Sequence, residues 1–423
     1  MRYIFLLFLS CMRLVPVFSQ LHLPVYALTH VTIIDVNHKI PLEGQTVLIR
    51  ENMIERIFPE GKISMPDSVA LFNMNGKFLV PGLIDTHVHF ATDPSETDNR
   101  ASTLKTLQKM LFTGITSVRD MAGDARTLSG ISRDARVGDI ISPDIYYSAL
   151  MAGPAFFDDP RTVISTRGGV AGQMSYMRAV TDSTNLVLAI AEAKGTGASG
   201  IKLYADFSAP LVMKIVEESK KQHMMVWAHA WLSPAKPSDL VKAGVGSISH
   251  AKMLVNEVMD TVPASWKKPD LPDEFWTDSV PDNHFLFALM REHHTILDAT
   301  LATYKKWGRE EPRNQYLYEI SKTMTARAYK DGVKICTGTD DDQEGFVQNE
   351  MELLVNDAGF SPIDALIAAT QNGADAIGIG TKTGSIEIKK TADLLVLDRN
   401  PLNNIKNIKT VYLVIKGGRI YKN

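Results

Sequence analysis

Short apolar segments alternate with helical segments through the middle of the chain. Between residues 82 and 381, eight segments of four to eight residues are rich in apolar side chains, a pattern typical of buried strands. These segments are residues 82–89, 115–119, 145–148, 200–204, 224–231, 247–251, 296–300 and 333–340. Eight strands that alternate with helices over this length predict a (β/α)8 TIM barrel of the α/β class.

The segments between the predicted strands show helical periodicity. In residues 208–221, Ser208 is a suitable cap and Pro210 lies in the first turn. Leu211, Val212, Ile215 and Val216 then form one apolar face. Residues 102–112 and the segment that begins at Ser361 are further predicted helices.

The two ends of the chain follow a different pattern. Around residues 26–78 and 384–418, short β-branched segments are separated by Gly, Pro and Asn. We expect residues 22–81 and 382–423 to pair into one small sheet domain beside the barrel domain of residues 82–381.

The amino terminus resembles a secretory signal peptide. Arg2 is followed by the apolar residues 3–9, which are too few to span a membrane. We therefore expect residues 1–19 to be removed, the protein to be exported to the periplasm or secreted, and the mature chain to have no integral membrane span. An alternative is a lipid anchor on Cys11, because residues 9–11 resemble a lipoprotein cleavage box.

Composition excludes several functional classes. The 423 residues are 45% hydrophobic with a formal net charge of −3, which is ordinary for a globular protein and gives no basis for a nucleic-acid partner. The two cysteines, Cys11 and Cys336, exclude a disulfide framework and a cysteine-type zinc site.

Candidate chemistry lies at the ends of the predicted strands, where TIM barrels carry their functional residues. These candidates are His87 and His89 on the first strand, Lys202 on the fourth, His229 on the fifth, His250 on the sixth and Asp340 on the eighth. Since side chains at i and i+2 of a strand face the same side, His87 and His89 converge. Each histidine alone is also compatible with a hydrogen-bonded core residue. Their grouping with an aspartate favours a metal site.

Several motifs resemble the amidohydrolase superfamily, in particular its imidazolonepropionase-like and prolidase-like branch. The resemblance covers nearly all of the chain after the signal peptide. The motifs are PGLIDTHVH at 81–89, GITSVRD at 114–120, GTD at 338–340, ADLLVLD at 392–398 and VIKGGRI at 414–420. The resemblance implies that the two chain ends form a composite β-sandwich beside a metal-binding barrel.

The resemblance also implies a two-metal site. His87, His89 and Asp340 would bind the more buried ion, and His229 and His250 the more exposed one. Lys202 would be carboxylated by CO₂ on its amine and would bridge both ions, because an ammonium group cannot bind a cation. The structural alternative is a lysine that extends to the barrel rim. Zinc is the default ion for imidazole and carboxylate ligands, although Mn²⁺, Co²⁺ and Fe²⁺ bind similar sets.

This ligand set suits hydrolysis of an amide bond, since a bound divalent ion activates water and polarises a carbonyl group. Asp340 would also be catalytic, by transferring a proton to the leaving group. Deaminases of the superfamily tend to carry Glu three residues after the fifth-strand histidine. Here that residue is Leu232, which argues against deamination. The expected substrate is a peptide-like or cyclic amide, as for a dipeptidase or prolidase.

Three alternatives stay open from the sequence. The first is a hydrolase with one metal ion, the second is a lactonase of the same superfamily, and the third is a metal-binding protein without catalysis. Tyr204 and Trp231 are candidate substrate contacts, although both residues are equally compatible with packing. The loops 151–172 and 252–294 are candidates for the choice of a small-molecule substrate. The sequence leaves the oligomeric state open and is compatible with a homo-oligomer.

Overall fold

A computed structural model describes residues 19–21, 23–34, 36–37, 40–91, 100–259, 280–340 and 345–422. The predicted signal peptide lies outside these residues except for Ser19, and so does the alternative lipid-anchor site, Cys11. Within the described part of the chain, no helix combines the length and the apolar character that crossing a bilayer requires.

The middle of the chain forms a parallel barrel of eight strands. The strands are β7 (Leu83–Val88), β8 (Ile115–Asp120), β9 (Asp144–Ala152), β12 (Gly200–Leu203), β13 (Met225–His229), β14 (Ser247–Ser249), β15 (Ile296–Asp298) and β16 (Ile335–Cys336). Two backbone hydrogen bonds, from Thr86 N to Thr337 O (2.9 Å) and from Asp340 N to His87 O (2.7 Å), connect the last strand to the first. Each predicted strand therefore corresponds to an observed one, which confirms the predicted barrel.

A short hairpin pairs with the end of the third barrel strand, β9. It consists of β10 (Gln173–Met174) and β11 (Met177–Ala179), and β11 pairs in parallel with the last residues of β9. Because β9 ends at the carboxyl side of the barrel, this pairing places the hairpin at the barrel mouth.

Helices follow the strands around the barrel. They are α1 (Arg100–Phe112), α2 (Ala125–Val137), α3 (Pro160–Ser165), α4 (Leu186–Gly195), α5 (Ala209–Lys221), α6 (Pro237–Ala243), α7 (His284–Glu292), α8 (Leu301–Glu310), α9 (Gln315–Lys330), α10 (Phe346–Asn356), α11 (Pro362–Ala368) and α12 (Gln371–Ile377). Ser208 caps α5 as expected, since its side chain accepts a hydrogen bond from Leu211 N. Short 3₁₀ helices occupy residues 154–158, 251–258, 312–314 and 405–409.

The two chain ends form one mixed sheet of nine strands. Its strands are β1 (Ser19–Leu21), β2 (Val25–Ile34), β3 (Pro41–Arg50), β4 (Met53–Pro59), β5 (Ala70–Asn73), β6 (Phe78–Pro81), β17 (Leu394–Leu397), β18 (Val411–Lys416) and β19 (Arg419–Lys422). The strand order is β1-β19-β18-β17-β6-β2-β3-β4, and β5 pairs with β2. Amino-terminal and carboxyl-terminal strands meet where β6 pairs antiparallel with β17, so a sheet domain built from both termini is present as predicted.

The sheet packs against the barrel through a shared apolar core. Leu395 and Tyr421 belong to the same buried cluster as the barrel helices. Gly114 has φ +100°, and a Cβ atom there would lie 2.7 Å from a methyl group of Leu395, so the close approach requires glycine. Lys416 Nζ also contacts Asp144 Oδ1 at 2.7 Å across this interface. The carboxyl ends of the barrel strands thereby stay open for a site.

Candidate metal centre

All six predicted ligands lie at the carboxyl ends of barrel strands. We call them the strand-end cluster: His87 on β7, His89 directly after it, Lys202 on β12, His229 as the last residue of β13, His250 directly after β14, and Asp340 after β16. Lys202 interacts electrostatically with all four histidines, so these residues share one small volume. The fold has brought together residues that are up to 253 positions apart. Their role as metal ligands stays a prediction.

Asp340 lies at the centre of the cluster. Its Oδ1 is 3.2 Å from His89 Nε2 and 3.8 Å from His87 Nε2, and its Oδ2 is 3.9 Å from His250 Nδ1. The candidate ligand atoms of His87, His250 and Asp340 all lie within 4.8 Å of one another. Atoms at these separations can converge on one divalent ion.

His229 extends the cluster towards the mouth of the barrel. Its ring centroid is 4.8 Å from that of His250 and 3.9 Å from that of Tyr204. The ring of Tyr204 in turn lies 4.4 Å from that of Phe156. His229 and His250 are therefore close enough to act as a pair, and Tyr204 lies beside His229. The role of Tyr204 as a substrate contact stays a prediction.

The protonation states of the cluster suit a cation. Burial lowers the pKa of His87, lowers that of His229 strongly, and lowers that of His250 to about 3. These imidazoles are therefore neutral and keep a lone pair for a ligand bond. Burial opposes ionisation of Asp340, but its electrostatic interaction with the His87 ring and its hydrogen bond with His89 hold the pKa of this carboxyl group well below its usual range. For His89, burial is outweighed by the hydrogen bond and the charge of Asp340, which raise the pKa of that imidazole. Three neutral imidazoles beside one carboxylate are a donor set that fits a divalent ion.

Lys202 is fully buried, which excludes the alternative of a lysine that extends to the rim. Its Nζ donates a hydrogen bond to Ser249 Oγ at 3.2 Å. Burial lowers the pKa of this amine to about 7, although the charge of Asp298 opposes the shift. A substantial fraction of Lys202 is therefore an uncharged amine near neutral pH.

Asp298 is a site residue that the sequence prediction missed. Its Oδ2 is 2.6 Å from His87 Nδ1 and accepts a hydrogen bond from Ser249 Oγ at 3.0 Å. It therefore holds the His87 ring with Nε2 directed at Asp340 and also lies two hydrogen bonds from Lys202. Asp298 is the last residue of β15, so the same inspection of strand ends that found Asp340 could have found it.

The space around Asp298 is tightly filled. A Cβ atom on Gly338 would lie 2.3 Å from Asp298 Oδ1 and 2.6 Å from His87 Cβ. The GTD motif therefore needs glycine at its first position because the carboxylate and the imidazole occupy the space of a side chain.

Arg119 supports this arrangement from inside the barrel. It is fully buried and donates hydrogen bonds to Thr86 O (2.6 Å), Ser247 Oγ (3.0 Å) and Ala376 O (3.1 Å). Its Nη2 lies 3.8 Å from Asp298 Oδ2, so the guanidinium also balances part of the buried negative charge.

Three residues of the strand ends adopt left-handed backbone conformations. They are His250 (φ 76°), Thr300 (φ 52°) and Asp340 (φ 55°). Such conformations cost about 1–3 kcal/mol each and concentrate at functional sites. The hydroxyl group of Thr300 lies 2.9 Å from His250 Nδ1, so two of these residues contact each other. The strain is consistent with a functional constraint at the cluster.

A cavity of about 490 Å³ opens above the cluster. His89, His229, His250 and Asp340 line it together with both predicted substrate contacts, Tyr204 and Trp231. Trp231 Nε1 is buried and has no hydrogen-bond partner within the described residues, so this donor is available to a bound molecule. The loop after β9, predicted to influence substrate choice, contributes residues 156, 161, 162 and 165 to the wall.

Known proteins share this fold. Ochratoxinase from Aspergillus niger is 26% identical over 387 residues, which cover 81% of this chain and 75% of that protein. Its solved structure has a TM-score of 0.74 at 22% identity, with 93% of this chain and 94% of that chain covered. A solved structure of a Xaa-Pro dipeptidase with bound methionine has a TM-score of 0.76 at 21% identity, with 94% and 100% covered.

A shorter similarity concerns an imidazolonepropionase. The enzyme from Syntrophobacter fumaroxidans is 54% identical over 46 residues, or 11% of each chain. The sequence model of the amidohydrolase family matches residues 78–421, which include the entire strand-end cluster. The chain belongs to the amidohydrolase family.

Proposed function

We propose that this protein is an exported, metal-dependent hydrolase that cleaves a C–N bond in a peptide-like or cyclic amide substrate. The observation that carries the proposal is the strand-end cluster: four imidazoles and a carboxylate gathered at the floor of a mostly apolar cavity. Similarity to a Xaa-Pro dipeptidase and to ochratoxinase supports an amide substrate. The signal-like residues 1–19 support export.

The proposed site holds two divalent ions, with zinc as the expected metal. His87, His89 and Asp340 would hold one ion, and His229 and His250 the other. Bound ions would supply an activated water and polarise the scissile carbonyl group. Asp340 then accepts the proton of the attacking water and delivers it to the leaving nitrogen. Tyr204, whose ring lies against His229, is positioned to contact the reacting end of the substrate.

Lys202 completes the two-metal proposal. Its uncharged amine would attack the carbon of CO₂. An N–C bond forms, one C=O π bond opens to a C–O⁻ group, and the nitrogen gives one proton to water, which leaves an anionic carbamate. The pKa of about 7 favours this reaction because only the neutral amine is nucleophilic. The product would carry two oxygen ligands where the ammonium form carries none.

A screen of the zinc-loaded protein tests the proposed reaction. Dipeptides, N-acyl amino acids, lactams and lactones should be assayed side by side, with hydrolysis of an amide as the expected result. Hydrolysis of lactones alone would support a lactonase instead. Uniform inactivity with metal bound would contradict catalysis and would support a metal-binding protein.

Replacing Lys202 with alanine is expected to reduce the zinc content from about two equivalents to about one, because the bridging ligand is lost. Elemental analysis after dialysis measures this change. Lys390→Ala is the matched control, since Lys390 is also buried but donates to Gly380 O, outside the cluster.

A single-metal hydrolase is the second candidate function. The compact set of His87, His250 and Asp340 favours it, since their ligand atoms already lie within 4.8 Å of one another. One zinc per chain in active wild-type protein, with unchanged zinc in Lys202→Ala, would establish this alternative and contradict the two-metal site.

Asp298→Asn is expected to weaken zinc binding about 10- to 100-fold, because the charge that orients His87 is removed. Competition with a chromophoric chelator measures the affinity. Asp375→Asn should leave it unchanged, since Asp375 pairs with Lys334 and Gln371 instead. Equal affinities in wild type and Asp298→Asn would show that Asp298 has no role at the metal site.

A further inference from the structure

The wall of the cavity is mainly apolar and aromatic. Its apolar members include Leu150, Phe156, Met177, Met253, Tyr304 and Trp307. Among the described residues that line it, Arg161 is the only lysine or arginine, and Asp340, at the floor, is the only carboxylate. A cation fixed in a mainly apolar wall is a suitable binding group for an anion at that position.

Arg161 is held in place by Asp159. The Asp159 carboxylate caps α3 by accepting from Arg161 N at 2.9 Å. It also accepts from Nε at 3.1 Å and from Nη2 at 2.8 Å. The Asp159 side chain is only 8% exposed, whereas that of Arg161 is 51% exposed. The carboxylate therefore lies behind the guanidinium, which faces the cavity with donors that Asp159 does not use.

Arg161 is also close to the candidate chemistry. Hydrogen bonds to Asp159, followed by the nearby Tyr204 hydroxyl group, raise the pKa of Arg161, so the guanidinium stays charged. Tyr204 links it to the cluster, because the Tyr204 ring is 3.9 Å from that of His229. One side chain thus separates the guanidinium from the predicted exposed-metal ligands.

A second aspartate–arginine pair in the chain has the same helix-capping geometry and serves as a comparison. Asp124 caps α2, accepts from Arg126 N at 2.9 Å, and binds the Arg126 guanidinium through Nε at 2.9 Å and Nη2 at 2.5 Å. The local geometry matches that of Asp159 and Arg161, but Arg126 does not line the cavity. Helix capping therefore accounts for both pairs, and the two arginines differ in that Arg161 lines the cavity whereas Arg126 does not.

We propose that Arg161 binds the carboxylate of an N-acyl amino acid or dipeptide whose amide bond is cleaved at the strand-end cluster. The apolar wall takes the acyl group or the side chain. This inference rests on the proposed function and deepens it, because it selects linear substrates with a free carboxylate over cyclic amides without one. Guanidinium and carboxylate groups form paired, charge-assisted hydrogen bonds, and these bonds favour substrates that carry a carboxylate.

Two substrates that differ only in the carboxylate test this proposal. N-benzoyl-L-phenylalanine and N-benzoylphenethylamine share the scissile amide and the aromatic groups, but the second lacks the carboxylate. Wild-type protein loaded with zinc is expected to favour the acid about 10- to 100-fold in kcat/KM. Arg161→Gln should remove this preference, mainly through a higher KM for the acid. Arg126→Gln, the matched control, should retain the preference.

Other outcomes separate the two proposals. Turnover without preference for the acid, or an equal loss for both substrates in Arg161→Gln, would overturn the carboxylate site and leave the hydrolase intact. If neither compound is hydrolysed, calorimetric binding to the zinc-loaded protein decides. Tighter binding of the acid that disappears in Arg161→Gln supports the site, and equal or absent binding of both compounds overturns it.

Discussion

Asp340→Asn is expected to lower kcat by about 10³-fold or more with little change in KM. Asparagine has nearly the same size but cannot accept the proton of the attacking water, and general acid–base groups typically contribute about 10²- to 10⁴-fold. The variant also loses the central charge that Asp340 places 3.2 Å from His89. Steady-state kinetics with the best amide substrate from the screen measures the effect.

The zinc content of the same preparation separates proton transfer from loss of metal. Near-normal zinc content with the expected loss in kcat supports the catalytic role. Restoration of activity by added zinc would show that Asp340 acts only as a metal ligand. Asp357→Asn is a suitable control, because Asp357 is partly buried but pairs with Lys305. A kcat within tenfold of wild type in Asp340→Asn would contradict the assignment.

The second large effect concerns stability. Arg119→Met is expected to lower the free energy of unfolding by about 3–5 kcal/mol, which is typical when one partner of a buried charge pair is removed. The variant loses three hydrogen bonds and the stacking of the guanidinium 4.7 Å from the Trp227 ring. It also leaves Asp298 without its nearest fixed cation inside the barrel. Urea denaturation of metal-free protein measures the change.

Arg133→Met provides the comparison, because the Arg133 side chain is 67% exposed and pairs with Asp134 and Asp139 at the surface. Its effect should stay within about 0.5 kcal/mol, as for exposed ion pairs. If Arg119→Met changes stability by no more than this control, the buried network does not stabilise the barrel.

Much of the fold could be predicted because its pattern is local. Apolar segments of strand length, separated by helices with one apolar face, reflect which side of each element is buried. All eight barrel strands follow from that pattern. The β pattern shared by the two ends predicted that they pair into one sheet, and the pairing of β6 with β17 agrees with this prediction. Ser208 illustrates a helix start that neighbouring residues determine, since a cap needs only a backbone N–H group a few residues along the chain.

The candidate site was only partly predictable. Strand ends of a barrel meet at one rim, so residues at those positions were expected to be close together. The strand-end position of Asp298 was visible in the sequence, but its role was not, because that role comes from a contact with His87, 211 residues away. Arg161 was not predicted for a related reason. Its sequence motif is the same Asp-x-Arg helix cap that Arg126 belongs to, and the two arginines differ only in that Arg161 lines the cavity.

The sequence by itself determined the barrel, the sheet built from both termini, and the residue types of the strand-end cluster. The physical reason is that the alternation of buried and exposed positions, and the position of each residue within its strand, depend on neighbouring residues in the sequence. Only the tertiary structure decided that Lys202 is buried beside Ser249, that Asp298 orients His87, and that Arg161 faces the cavity. Hydrogen bonding, desolvation and cavity shape depend on groups that are distant in sequence, so they arise when the chain is folded.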